Sequence, residues 1–324
     1  MANLNVEVFG LKLKHPIILS SGCLTHTGAG MIAGLRGGAS AAIGKTCGSK
    51  AKMGHPQPQI INKPSKAYMV NAQGIPNPGV EKFIEDIKKA IDAGLGPIFA
   101  SALGEKPEDF AYVARGLEEA GAELIELNVS CVHPTHGVKY GFLSGDNPEQ
   151  VYNTVKAVKQ AVSIPVVPKI SSHKILDVPI LAKAAEEAGA DGVTVANTLP
   201  ALELNTDTLK PALGNPDGVG GLSGDAIKPI ILRCVADTAR VVKIPIMATG
   251  GCTTGADVAE MLALGASVVQ VHTAAMYYGM KHFSKMVEEL DAYLDTHNFK
   301  SVNEIIGYSL QFLPPKPLQM QDDH

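Results

Sequence analysis

Glu126-Leu127-Asn128-Val129-Ser130-Cys131-Val132-His133 is the stretch on which the reading of the chain turns. The run Leu124 to Leu127 reads as a buried strand. It ends in Asn128 and opens a polar loop that presents Ser130, Cys131 and His133. Parallel β/α barrels place hydrogen-bonding and reactive side chains at such C-terminal strand ends. The rest of the chain can be tested for whether it builds that barrel.

Working outward, seven more short apolar runs carry the same signature. They are Ile17 to Ser20, Ala39 to Gly44, Pro97 to Ser101, Pro165 to Ile170, Gly192 to Ala196, Pro245 to Thr249 and Ser267 to Val271. Segments of helical periodicity separate them, and Pro107 suits the first turn of one. Three helix-to-strand junctions nearly repeat: Glu118-Glu119-Ala120-Gly121-Ala122, Glu186-Glu187-Ala188-Gly189-Ala190 and Leu264-Gly265-Ala266. Each glycine closes a helix just before the next strand, as parallel strands with right-handed crossovers require. The pattern predicts an α/β fold, a (β/α)8 TIM barrel in one domain spanning residues 1–324, with an open doubly wound sheet as the alternative. A hairpin at 6–13 would cap the barrel floor. Insertions 46–79 and 199–223 exceed ordinary barrel loops and would lie over the C-terminal face. The first holds two weak strand runs, Gln59 to Asn62 and Lys66 to Val70. Two helices near 281–295 and 301–308 close the chain, and the tail 314–324 reads as draped on the surface.

Composition narrows the function. The chain has 324 residues, 28 basic and 32 acidic, and a formal charge of -4, which is no nucleic-acid footprint. No apolar run reaches membrane-spanning length, and the first residues lack a signal-peptide pattern. Five cysteines without regular spacing fit a reducing cytoplasm. With no CxxC pair, an iron–sulfur cluster held by this chain alone is not expected, and no metal site is read.

Two late strand ends point to an anion. Thr249-Gly250-Gly251-Cys252-Thr253-Thr254 follows the seventh strand, and Gln270-Val271-His272-Thr273-Ala274 spans the end of the eighth. Loops after the last two strands of a barrel commonly hold phosphate, because glycines let backbone N–H groups approach it. Side chains added at Gly250 and Gly251 are expected to occupy the phosphate path. Gly220-Gly221-Leu222-Ser223-Gly224 would add further amides. Lys45 and Lys169 each end an apolar strand, where burial costs too much without an anion or solvent. Two inward lysines suit the anionic reduced form of a flavin.

The same residues resemble the class 1 dihydroorotate dehydrogenase family, and also the flavin-binding part of dihydropyrimidine dehydrogenases. The likeness runs through His15-Pro16, Gly44-Lys45-Thr46, Asn71 to Gly79, Asn128-Val129-Ser130-Cys131, Lys169, Asn197-Thr198, Gly220 to Pro229, Gly250-Gly251 and Thr273. It implies FMN at the barrel mouth, with phosphate against Gly250, Gly251, His272 and Thr273. Ser21, Gly22, Thr46 and Gly224 would complete the cofactor site, and Lys45, Asn128 and Lys169 would flank the ring. Asn71, Asn128, Asn197 and Thr198 would line a flat substrate, with Gln73, Gly74, Ile75 and His133 beside it. Asparagine suits a ring edge of alternating N–H and C=O, since it both donates and accepts. Cys131 would move the proton, with Ser130 and Lys45 as catalytic neighbours. The implied reaction is oxidation of dihydroorotate to orotate; the alternative is oxidation of dihydrouracil or dihydrothymine. Val132-His133 stands where the dihydroorotate enzymes usually carry Pro-Asn and the dihydropyrimidine enzymes Pro-His. His272 stands where a glycine is common. A homodimer is the default assembly; for the electrons, either a small acceptor reaches the flavin or a partner subunit, such as an iron–sulfur/FAD subunit, carries them onward.

Overall fold

The computed structural model describes residues 2–130 and 147–317. In chain order the strands are β1 Val6–Val8, β2 Leu11–Leu13, β3 Ile17–Leu19, β4 Ala42–Ile43, β5 Ile60–Lys63, β6 Tyr68–Asn71 and β7 Ile98–Ala102. There follow β8 Ile125–Asn128, β9 Val166–Lys169, β10 Val193–Val195, β11 Leu199–Leu202, β12 Val219–Ser223, β13 Ile246–Thr249 and β14 Val268–Val271. Strands β3, β4, β7, β8, β9, β10, β13 and β14 close a barrel in that order, β14 returning to β3. Every pairing within it is parallel. The open-sheet alternative is thereby excluded.

Local chemistry explains the elements. Parallel strands are covered on both faces and so read as continuous apolar runs; Ile17, Ile18 and Leu19 of β3 are all fully buried. The helix Val80–Asp92 buries Val80, Phe83, Ile87 and Ala90, a three-to-four-residue spacing that makes one apolar stripe. Pro107 and Pro148 open the helices Pro107–Glu119 and Pro148–Lys159, where a missing N–H costs nothing. Gly121, Gly189 and Gly265 after three helices adopt φ of 98°, 91° and 101°, the left-handed closure read from the sequence. The β1–β2 hairpin does sit at the floor: the Phe9 ring packs against Gly192, which leads into β10.

The two insertions do more than expected. β5–β6 from the first and β11–β12 from the second join in one antiparallel sheet, ordered β11-β12-β6-β5. Asn71 of β6 pairs with Gly221 of β12 across this junction. The hairpin in 199–223 was not legible: its strands carry Pro200 and paired glycines of low strand propensity, and β12 finds its second partner far away in the chain. Beneath the sheet Val70, Ala72 and Leu213 form a small separate apolar cluster. Among the described residues no helix is long and apolar enough to cross a membrane.

Candidate functional site

A cavity opens at the C-terminal ends of the barrel strands, beneath the insertion sheet. The strand ends Lys45, Asn128, Lys169, Asn197, Gly250 and His272 all line it. Asn71, Gln73, Gly74, Ile75 and Thr198 reach it from the insertions and their neighbours. Ser21, Gly22, Thr46, Gly224, Gly251 and Thr273 line it as well.

One end of the cavity is built from backbone. Gly250 and Gly251 take φ of 127° and 84°, a region that side-chain-bearing residues rarely enter. Their N–H groups find no acceptor among the described residues. A Cβ at Gly251 would lie 2.6 Å from Lys228 Cβ, and one at Gly250 2.8 Å from Ile231 Cγ1. This corrects the expectation that such side chains would fill the phosphate path: they would strike the helix Lys228–Ala239 behind the loop and push the loop out of place. Asp257 holds the far side, accepting from Thr253 N at 2.9 Å and Thr254 N at 2.7 Å. Although burial opposes it, Lys228 and these N–H groups hold the Asp257 carboxyl below its usual range. Across the gap Thr273 Oγ1 donates to Ser223 Oγ at 2.9 Å.

His272 is tied into the same end. Burial pulls its imidazole down to about 4, opposed by the Ser20 carbonyl and reinforced by Lys45 and Lys169. The neutral ring therefore donates from Nδ1 to Ser20 O at 3.2 Å, which leaves Nε2 to accept from the Cys23 thiol at 3.4 Å. Gly22 makes room for it: a Cβ there would lie 2.3 Å from the ring. Burial raises the Cys23 thiol above its ordinary value, so it is not an activated nucleophile.

The other end is built from side chains, each fixed by neighbours. Asn128 Nδ2 donates to Thr46 Oγ1 at 3.3 Å, and its Oδ1 accepts from Ser130 N at 3.4 Å and Ser130 Oγ at 3.2 Å. Asn197 Nδ2 donates to Ser130 Oγ at 2.9 Å and to Ser130 O at 3.0 Å. Ser130 is buried and does not itself line the cavity; it ties the two asparagines together. Asn71 Nδ2 is anchored on Gly221 O at 3.2 Å. Lys45 Nζ donates to Gln73 Oε1 at 3.3 Å. Cys131 and His133 lie outside the described residues.

Several lining residues were missed in the sequence, Glu126 and Gln270 foremost. Both are fully enclosed in barrel strands. The signal was present: Glu126 stands two residues before Asn128, and Gln270 two before His272, so each shares its neighbour's face of the strand. A charged residue within an otherwise apolar strand marks the barrel interior as a site.

A flavin mononucleotide offers a phosphate, a hydroxylated chain and a flat ring with alternating donors and acceptors. The cavity answers the phosphate and the ring. Gly250 and Gly251 hold unspent N–H donors that suit the phosphate, and the asparagines lining the same cavity offer the donors and acceptors that suit the ring. Lys169, buried, meets only Glu126 Oε1 among the described residues, at 4.0 Å, too far for a hydrogen bond. Its ammonium is available to an anionic ring edge.

The family model for dihydroorotate dehydrogenase matches residues 3–294. The chain belongs to the dihydroorotate dehydrogenase family. It is 39% identical over 308 residues to the dihydroorotate dehydrogenase B (NAD(+)) catalytic subunit of Pyrococcus abyssi, covering 95% of this chain and 99% of that one. The protein of the same description from Methanocella arvoryzae is 40% identical over 298 residues, covering 92% and 95%. A crystal structure of DHODH from Eimeria tenella in complex with ferulenol superposes with a TM-score of 0.81 at 20% identity, covering 96% of this chain and 89% of that one, and shows the shared barrel.

Proposed function

We propose that this chain is an FMN-dependent oxidoreductase that converts (S)-dihydroorotate to orotate. The observation that carries the reading is the asparagine wall, Asn71, Asn128 and Asn197, facing the same cavity as two lysines and the unspent donors of Gly250 and Gly251. Oxidising the ring CH–CH bond removes a proton from one carbon and a hydride from its neighbour, leaving a C=C bond. When bound, the flavin supplies the hydride acceptor. The chain supplies the rest. Gly250, Gly251 and Thr273 hold the phosphate, and Lys169 faces the flavin with its charge. Asn71, Asn128, Asn197 and Thr198 orient the ring by paired donor and acceptor contacts. Lys45 balances the substrate carboxylate. Cys131, next in the chain after Ser130, takes the proton as general base.

The relatives are named as catalytic subunits of NAD(+) enzymes. Among the described residues no cluster of three or more His, Cys, Asp or Glu is placed to hold a metal. A separate iron–sulfur/FAD subunit carrying electrons to NAD+ suits both facts, around a homodimer of this chain. The test is anaerobic mixing of the yellow protein with dihydroorotate or dihydrouracil while flavin absorbance is followed. Fast bleaching by dihydroorotate, slowed in Cys131→Ser with flavin retained, is the expected result. Bleaching by dihydrouracil alone would reassign the substrate, and a protein that binds no FMN would end the reading.

A further inference from the structure

We infer that Glu126 is a positioning residue that sets the reduction potential of the bound flavin through Lys169. The inference rests on the FMN reading above and deepens it. Glu126 is fully enclosed on β8 and lines the cavity. Its Oε2 is saturated: Gln270 Nε2 donates at 2.7 Å and Thr194 Oγ1 at 3.0 Å. Gln270 is in turn fixed by Ser20 Oγ, which donates to Gln270 Oε1 at 2.9 Å. Glu126 Oε1 has no hydrogen-bond partner among the described residues and stands 4.0 Å from Lys169 Nζ.

Buried polar atoms are almost always satisfied, and an unsatisfied one in a native site calls for a reason. Here one carboxylate oxygen is held by side chains of strands β10 and β14, and the other is left facing a lysine just beyond bonding reach. A full ion pair would have spent the lysine on the protein. At 4.0 Å the two charges face each other across a buried gap, yet the ammonium keeps its donors for a ligand. Reduction of a flavin adds negative charge to its ring. Lys169 favours that charge and Glu126 opposes it, so the pair fixes how far the potential is raised.

The test is a redox titration of the FMN-loaded protein against dyes of known potential, with Glu126→Gln and Glu126→Asp. E126Q keeps the shape and loses the charge. It should raise the reduced-to-oxidised ratio at a fixed potential at least tenfold, about 30 mV for a two-electron couple. E126D keeps the charge and changes the shape, and should stay closer to the wild type. The reverse order, E126Q silent and E126D shifted, would mean packing alone and overturn the inference. Where E126Q does not accumulate, Lys169→Gln and the E126Q/K169Q double variant replace it. K169Q should lower the potential, and neutralising Glu126 in that background should raise it again; no difference between the two overturns the inference. A wild-type protein that binds no FMN would instead remove the underlying reading, an outcome visible before any variant is made.

Discussion

The two ends of the cavity are made of different material. The phosphate end is backbone: two glycines in left-handed conformations, seated on the start of the helix Lys228–Ala239. The ring end is side chain: asparagines held by a hydroxyl or a carbonyl elsewhere, with lysines from β9 and the end of β4 beside them. A backbone cradle is specified by six consecutive residues and fails all at once when its conformation is denied. A side-chain wall is specified by scattered pairs and degrades contact by contact.

The contrast can be broken most forcefully at Gly251. Gly251→Val should yield folded but colourless protein, because neither its φ of 84° nor its contact with Lys228 admits a side chain; FMN titration by fluorescence quenching checks it, and a yellow variant would refute the backbone account. At the other end Asn128→Ala should keep its flavin and lose about five- to 150-fold in kcat/KM, the effect of about 1–3 kcal/mol for partners left unpaired. Steady-state kinetics beside a flavin spectrum separates the two outcomes, and loss of colour would show that the ends are not independent.

The smallest effect sharpens the comparison by pH. His272 titrates near 4 in the folded protein and near 6.5 when unfolded. Between those values the unfolded chain binds the proton and the folded one does not, so stability falls as pH falls. From pH 7 to 5 this share amounts to about 1–2 kcal/mol. His272→Gln should lose correspondingly less stability over that interval, read as denaturant midpoints at the two pH values. His15, also held at about 4 chiefly by burial, keeps its own acid sensitivity in both proteins and serves as the internal control.

Legibility followed the same divide. The barrel could be read because its information is local: Gly121, Gly189 and Gly265 each close a helix within a few residues of the next strand. Gly250-Gly251 was readable for the same reason, although which atoms its missing side chains would strike was not. The asparagines came with the family likeness, while their anchors did not. Nothing near Ser130 in the sequence announces Asn197, and nothing near Glu126 announces Gln270 or Thr194. The hairpin β11–β12 escaped because its partner β6 lies in the other insertion.

The sheet joining the two insertions also imposes a timetable. Asn71 meets Gly221 only after the chain between them has supplied four barrel strands, β7, β8, β9 and β10. Closing so long a loop is slow compared with forming the local β/α units. A ribosome must therefore release about two thirds of the chain before the roof can form at all. Until then Asn71 and Gln73 hang from an unpaired hairpin, and a half-made enzyme has a floor and walls but no grip on its substrate.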